Sequence, residues 1–407
     1  MMFLYSIAIS LYGIIAHVVA LWSPKARLWC EGRKGLLKRM AQTIPSSQRI
    51  IWVHVSSLGE FEQGRPIIEK LRHEQPEYKI LVTFFSPSGY EIRHNYEGAD
   101  YIFYLPNDTP HNVKQFLDIV NPEIAIFVKY EFWLNYLSEL RARKIRSFIV
   151  SAIFRENSIF FKPWGFAWRN ALEAYETLFV QDENSKTLLA KWGFDNVVVA
   201  GDTRFDRVWD ITRGCVELPI IEKFKGDKNL FIAGSTWKAD EDILIPLIKS
   251  NPNIKFIVAP HEIDSERIDT LMKRVANYGI KYSECSADSD LSAVQLLILD
   301  TMGMLSSTYK YASWGYIGGG FGKGIHNTLE AATFGLPISF GTNYLRFKEA
   351  CDLISLDVAT SVNSAEELKE WFTPLKDENH RDEISTKCLD FMARKRGATE
   401  LIVTSIL

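Results

Sequence analysis

"GYIGGGFGKGIHNTLEAATFGLP", residues 315–337, decides how this chain is read. An apolar run breaks into three glycines and restarts as a helix-forming segment, the βα turn expected of a nucleotide-binding α/β sheet. Gly318, Gly319 and Gly320 let a backbone approach a ligand closely, and the amides opening the helix near Asn327 to Leu329 favour a phosphate. Lys323 and His326 could neutralise a leaving phosphate, with solvated surface residues as the plain alternative. Glu330 can take two ribose hydroxyls on one carboxylate, or serve only as a first-turn acid. The stretch is neither a Walker A loop, because Lys323 stands where glycine is required, nor a G-x-G-x-x-G turn. A simple ATPase and a dinucleotide dehydrogenase are disfavoured.

Outward from that turn the same rhythm recurs. In the second half "LFIAGS" (230–235), "KFIVAP" (255–260), "LLILD" (296–300), "WGYIGGG" (314–320) and "LPISF" (336–340) alternate with amphipathic segments. In the first half "IIWVHV" (50–55), "KILVTF" (79–84), "IAIFV" (124–128), "RSFIVS" (146–151), "TLFV" (177–180) and "NVVVA" (196–200) do the same. Such alternation predicts mainly parallel sheets covered by helices on both faces. A chain of 407 residues exceeds one ordinary core. The predicted fold class is therefore α/β, two Rossmann-like doubly wound domains facing a cleft. We place them at 23–210 and 211–407, the last helix able to cross back, with a hinge near 207–228.

Ligands of open α/β sheets bind beyond the C-terminal strand ends, so the loops there carry the candidates. "HVSSLGEFEQGRP" (54–66) places Ser56, Ser57, Gly59 and Glu60 where a buried strand hands over to a helix. By position Glu60 is a helix-start acid, and by its place at the ligand edge a catalytic base; the stretch alone leaves both open. "VKYEFWLN" (128–135) sets Glu131 and Asn135 after another strand, where a second carboxylate would help one of the two act as base. A cap and a core Trp133 are the alternative. In the second domain "AGSTWKADED" (233–242) and "APHEID" (259–264) bring Ser235, Thr236 and His261 to the edge that holds the glycine turn. "DTMGML" (300–305), with Gly303, offers backbone groups to a base.

The net charge of −3 gives no basic field for nucleic acid. Five scattered cysteines without a C-x-x-C pair fit reduced thiols, and the eight histidines form no ligand spacing, so no metal site is expected. "DSD" (288–290) and "DED" (240–242) read as surface acids.

Residues 1–22, "MMFLYSIAISLYGIIAHVVALW", contain no Asp, Glu, Lys or Arg, and a helix of that length rises about 33 Å, enough to span a membrane. They lack the basic start and the cleavage site of a secretory signal. Lys25, Arg27, Arg33, Lys34, Lys38 and Arg39 follow against Glu31 alone, which puts that flank in the cytoplasm. With Trp22 and Trp29, residues 22–40 also fit the headgroup layer and its lipids; a buried or monotopic helix is the alternative to a spanning one.

In order along nearly the whole chain, "SSLGE", "EFWLN", "GDTRFD", "PHE", "DTMGML" and "GGGFGKGIHNTLEAATFGLP" resemble the 3-deoxy-D-manno-octulosonic acid (Kdo) transferases of Gram-negative bacteria. The resemblance implies a GT-B glycosyltransferase of lipopolysaccharide biosynthesis. It would move Kdo from its co-substrate CMP-Kdo to a lipid A precursor at the cytoplasmic face of the inner membrane, with inversion and no cofactor or metal. Glu60 would be the base, and Ser56, Ser57, Gly59, Glu131, Asn135 and Arg204 would serve the acceptor. Ser235, Thr236, His261, Gly303, Gly319, Gly320, Lys323, His326, Asn327 and Glu330 would serve the donor. The chain departs from the family pattern at Leu134, where E-x-W-P-N has proline, at Asp202 of G-N-x-K-F-D, at Pro260 before His261, and at Ile325 of GGHN-x-LE. "STWKADED" stands in place of S-T-H-E-G-E-E, which shifts donor-phosphate contacts toward Lys323. A UDP-sugar transferase acting on a lipid, and a non-catalytic membrane-anchored nucleotide-sugar binding protein, are the alternatives.

Overall fold

Each β-rich run named above becomes a strand, because β-branched and aromatic side chains suit a pleated surface buried on both faces. The computed structural model describes residues 1–407. Seven parallel strands, β1 (Ile50–Val55), β2 (Lys79–Phe84), β3 (Tyr101–Tyr104), β4 (Ile124–Val128), β5 (Arg146–Ala152), β6 (Thr177–Val180) and β7 (Val197–Val199), run in the order β3-β2-β1-β4-β5-β6-β7. Seven more, β8 (Leu230–Thr236), β9 (Lys255–Pro260), β10 (Gly279–Lys281), β11 (Leu296–Ile298), β12 (Trp314–Ile317), β13 (Ile338–Phe340) and β14 (Ala359–Ser361), form a second parallel sheet, β10-β11-β9-β8-β12-β13-β14. The strands that sequence reading missed, β3, β10 and β14, are edge strands of three or four residues.

The chain divides into one unit of Met1–Arg207 with Arg396–Leu407 and a second of Val208–Lys395. The last helix, Ala398–Ile406, buries Ile402, Val403 and Ile406 in the first unit's core against strands such as β1. Asp206 fastens its start, accepting from the amides of Gly397 (2.7 Å) and Thr399 (2.8 Å).

Strand order reverses between β1 and β4 in the first sheet and between β8 and β12 in the second. At such switch points adjacent βα loops diverge to opposite faces and leave a crevice. Each unit therefore offers one crevice, and the candidate loops of the sequence fall on both.

The first helix, α1 (Met2–Val19), is long and apolar enough to cross a membrane by length and composition. It nevertheless lies against the first unit along one face. The Tyr5 hydroxyl donates to Asp108 at 2.6 Å, Ser6 donates to Asn135 at 3.2 Å, Tyr12 packs edge-on to Trp29, and Gly13 is buried beside Asn107. The opposite face is mainly apolar, with Ser10 and His17 among its exposed residues: Phe3 is 75% exposed, and Leu4, Leu11, Ile14, Ile15 and Val18 are exposed with it. Polar handles on one side of the helix hold it against the first unit.

The next helix, α2 (Pro24–Arg33), starts with Ser23 as N-cap and Pro24 in the first turn. Arg33, expected among the headgroup cations, instead turns inward over the Trp29 ring and donates to the carbonyls of Leu105 and Phe85 at 2.9 and 2.8 Å.

Candidate functional site

In the first unit, β1 ends at Val55 and the helix α3 (Leu58–Glu74) begins after Ser57. Ser57 is the N-cap residue by position, yet its side chain makes no capping bond; its hydroxyl donates to the Glu60 carboxylate. Glu60 is therefore held by a neighbouring side chain rather than by backbone amides, on a half-buried turn beside Ser56 and the exposed Gly59.

Across the switch point, β4 runs into Lys129, whose φ of 73° is costly for a residue with a side chain. Tyr130, which follows, is 44% exposed. Burial raises its hydroxyl above the usual range, Arg155 opposing and Glu60 adding, with Asp182 and Arg204 acting more weakly. Tyr130 thus feels the charges of both Glu60 and Arg155, and no motif in the sequence singled out this pairing.

Two expected acceptor residues turn inward. Glu131 is buried, its carboxylate accepting from Trp133 Nε1 at 2.7 Å and lying 3.0 Å from His54 Nε2. Asn135 is buried, its amide groups engaged by Ser6 and the Asp108 carbonyl. Both brace the loop 129–135 from behind. Arg204 lies beside Asp202, donating through Nε and Nη2 at 2.9 and 2.7 Å. Burial alone would raise the Asp202 carboxyl, but the Arg204 guanidinium outweighs it and holds the group below the usual range.

In the second unit, β8 carries an irregularity at its penultimate residue, Ser235, which is left-handed with φ of 54°, and β12 ends at Ile317, just before the three glycines. A Cβ at Gly318 would lie 2.2 Å from the Ser235 carbonyl oxygen, and one at Gly320 2.5 Å from the Gly341 backbone. The glycines are thus demanded by the protein's own backbone, in addition to any approach by a ligand.

Asp240 ties this loop down. Its carboxylate accepts from the amides of Trp237 (2.8 Å) and Gly319 (2.9 Å) and from the Tyr316 hydroxyl (2.8 Å). Asp240 and Glu241, expected at the surface, are buried, because the first turn of the helix Lys238–Ser250 abuts the glycine loop. Thr236 is also buried, and its hydroxyl donates inward to Glu241 at 3.2 Å rather than standing on the rim.

On the rim are His261, Gly303 with φ of 82°, Lys323 and Asn327, all exposed, and the half-buried His326. Glu330 accepts from Ser306 at 2.5 Å and from Asn327 at 2.9 Å, so its two oxygens are already oriented. The helix it opens is only Leu329–Ala332, and the Leu329 amide donates to Asn327. A one-turn helix has little dipole, so the expected helix-amide cradle gives way to side chains and the glycine loop. No group of three His, Cys, Asp or Glu side chains is arranged to hold a metal ion.

Residues 15–207 match the family model described as 3-deoxy-D-manno-octulosonic-acid transferase. The chain is 24% identical to the 3-deoxy-D-manno-octulosonic acid transferase of Haemophilus influenzae, over 87% of this chain and 85% of that protein. It is 25% identical to that of Aquifex aeolicus, over 75% and 80%. It is also 23% identical to a bifunctional glycosyltransferase/methyltransferase of Fusobacterium nucleatum over 85% of this chain, which spans 56% of that longer protein. Among solved structures, UDP-GlcNAc 2-epimerase from Neisseria meningitidis superposes with a TM-score of 0.61 at 14% identity, covering 88% of this chain and 99% of that one. MurG from Acinetobacter baumannii gives 0.56 at 11%, over 88% and 99%. These two likenesses show the fold, which is of GT-B type.

Proposed function

We infer that this chain, which belongs to the 3-deoxy-D-manno-octulosonic acid (Kdo) transferase family, moves Kdo from CMP-Kdo onto a hydroxyl of a lipid A precursor in lipopolysaccharide biosynthesis. The observation that carries this reading is the carboxylate of Glu60, released from capping and oriented by Ser57 at a switch point of the first sheet. A general base must be free to take a proton and fixed in direction, and this arrangement supplies both.

The work divides between the units. The second holds the donor: Glu330 and Asn327 suit the ribose hydroxyls, and Lys323, His326 and the glycine loop suit the phosphate. The first holds the acceptor and the base. The acceptor oxygen attacks the anomeric carbon of Kdo as the bond from that carbon to the phosphate oxygen breaks. The acceptor proton passes to Glu60, and the bonding pair leaves with CMP. Attack opposite the leaving group inverts the anomeric centre. The docked α1 helix, with its outward apolar face, attaches the first unit to the inner membrane from the cytoplasmic side, where a lipid acceptor resides.

Supplying CMP-Kdo with a tetra-acylated lipid A precursor and weighing the product tests this reading. A mass gain of one or more Kdo units is expected. Turnover only with UDP-sugars in place of CMP-Kdo would overturn it.

A further inference from the structure

We propose that Trp237 is a positioning residue for His326: its indole Nε1–H locks the imidazole as the Nδ1–H tautomer, so that Nδ1–H is the donor presented to the phosphate of a bound nucleotide. The identity of that phosphate rests on the transfer proposed above; the tautomer does not.

Trp237 Nε1 lies 3.1 Å from His326 Nε2. An indole N–H can only donate, so Nε2 must offer its lone pair, and a neutral ring then carries its proton on Nδ1. An imidazolium would set two N–H groups against each other. The same ring edge is enclosed by the glycine loop, since a Cβ at Gly319 would stand 2.9 Å from Cδ2 and 3.1 Å from Nε2. The His326 amide donates to Gly318 at 3.1 Å, which fixes the ring's root on that loop. Nδ1 has no partner among the hydrogen bonds of the protein.

His261 covers one face of the ring, 4.2 Å away at 23°, and Trp237 packs on His261 at 5.0 Å and 32°. Burial, and then His261, push His326 down to about 4, in keeping with a neutral donor. Trp237 is placed by its own amide, which donates to Asp240, the residue that also holds Gly319. Asp240 therefore fastens the Trp237 backbone and the glycine loop to one carboxylate. Trp237 stands where the S-T-H-E-G-E-E stretch has histidine, so the device belongs to this chain's own departure from that pattern.

The test uses the full chain in detergent, labelled with ¹⁵N-histidine. Long-range ¹⁵N–¹H correlation of the native protein, Trp237→Phe and His326→Asn reads the tautomer, the last variant assigning the signal. Titration with CMP is run on these three and on the double variant. The native ring is expected as Nδ1–H, and Trp237→Phe, which keeps a ring but loses the N–H, as a mixture with Nε2–H. Only the Nδ1–H fraction then donates, so CMP should weaken several-fold, by about the inverse of that fraction. His326→Asn removes the imidazole and should itself weaken CMP by about tenfold or more, and adding Trp237→Phe should then change nothing further. An Nε2–H or doubly protonated ring in the native protein at neutral pH would overturn the lock, as would equal weakening by Trp237→Phe on both backgrounds. No CMP binding with the Nδ1–H signature intact would overturn the donor reading and leave the lock standing.

Discussion

The Ser57 hydroxyl donates to the Glu60 carboxylate at the first turn of α3, and the helix start is left without a side-chain cap. The serine and glutamate are spaced as in a capping box, yet each engages the other instead of a backbone amide. Two readings of Glu60 now predict different outcomes. As a cap its replacement would cost about 1 kcal/mol of stability; as a base it would cost ~10² to 10⁴ in rate. Glu60→Gln is expected to keep the melting temperature and CMP affinity while losing Kdo transfer by at least about a hundredfold. Single-turnover transfer beside a thermal melt checks this, and near-native turnover would remove Glu60 from the mechanism.

Asp240 carries a second prediction. Three donors converge on its buried carboxylate, and Asp240→Ala leaves all three without a partner. Each orphaned buried donor costs about 1–3 kcal/mol, with partial relaxation, so roughly 3 kcal/mol of destabilisation is expected. The glycine loop should loosen with it and CMP affinity should fall, while Asp240→Asn, which keeps one acceptor oxygen, should fall less. Unchanged melting and CMP binding in Asp240→Ala would show that the loop stands without it.

Much of this was legible in the sequence because periodicity reports burial. The central strands of both sheets were readable as apolar runs, and the glycine turn as a strand that cannot continue. The direction of polar side chains was not legible. "DED" reads the same whether its first two acids face water or, as found, pack beneath a glycine loop contributed by residues 79 positions downstream of Asp240. Glu131 and Asn135 likewise matched a motif while their partners, His54 and Asp108, lay on other elements. Tyr130 carries no signal that it will feel the charges of Glu60 and Arg155, which lie on other loops of the folded sheet.

Asp108 gives a prediction in pH. It accepts from the Tyr5 hydroxyl and from the amides of Asn135 and Tyr136, and burial nonetheless raises its carboxyl from 3.8 to about 6. The folded state therefore binds this proton more tightly than the unfolded chain. The associated stability is present in full below about pH 4 and is lost as pH rises through about 6. Relative to Asp108→Asn, the native chain should gain on the order of 3 kcal/mol between about pH 7.5 and about pH 4. Urea titrations of both proteins across that range measure the gap, and a gap independent of pH would refute the assignment.

The docking of α1 sets the last prediction, because it separates a helix that lies in one leaflet from one that crosses both. In the structure α1 is held to the first unit at Tyr5, Ser6, Tyr12 and Gly13, over about half of its length. Its free face presents Leu4, Leu11, Ile15 and Val18 on one stripe, and Lys25, Arg27, Lys34 and Lys38 follow it. Apolar insertion beside basic residues suits an anionic leaflet. Replacing Leu11 and Ile15 together by glutamate leaves every docking contact in place. Each fully buried aliphatic side chain contributes about 1.5–3 kcal/mol, so this variant should lose at least about a hundredfold in affinity for vesicles containing phosphatidylglycerol, with its melting temperature unchanged. A single cysteine at Ile15, in a protein whose five native cysteines are replaced, should be quenched by lipids labelled at shallow acyl positions. Quenching strongest at the bilayer centre, with the glutamate variant still extracted only by detergent, would establish a spanning helix instead.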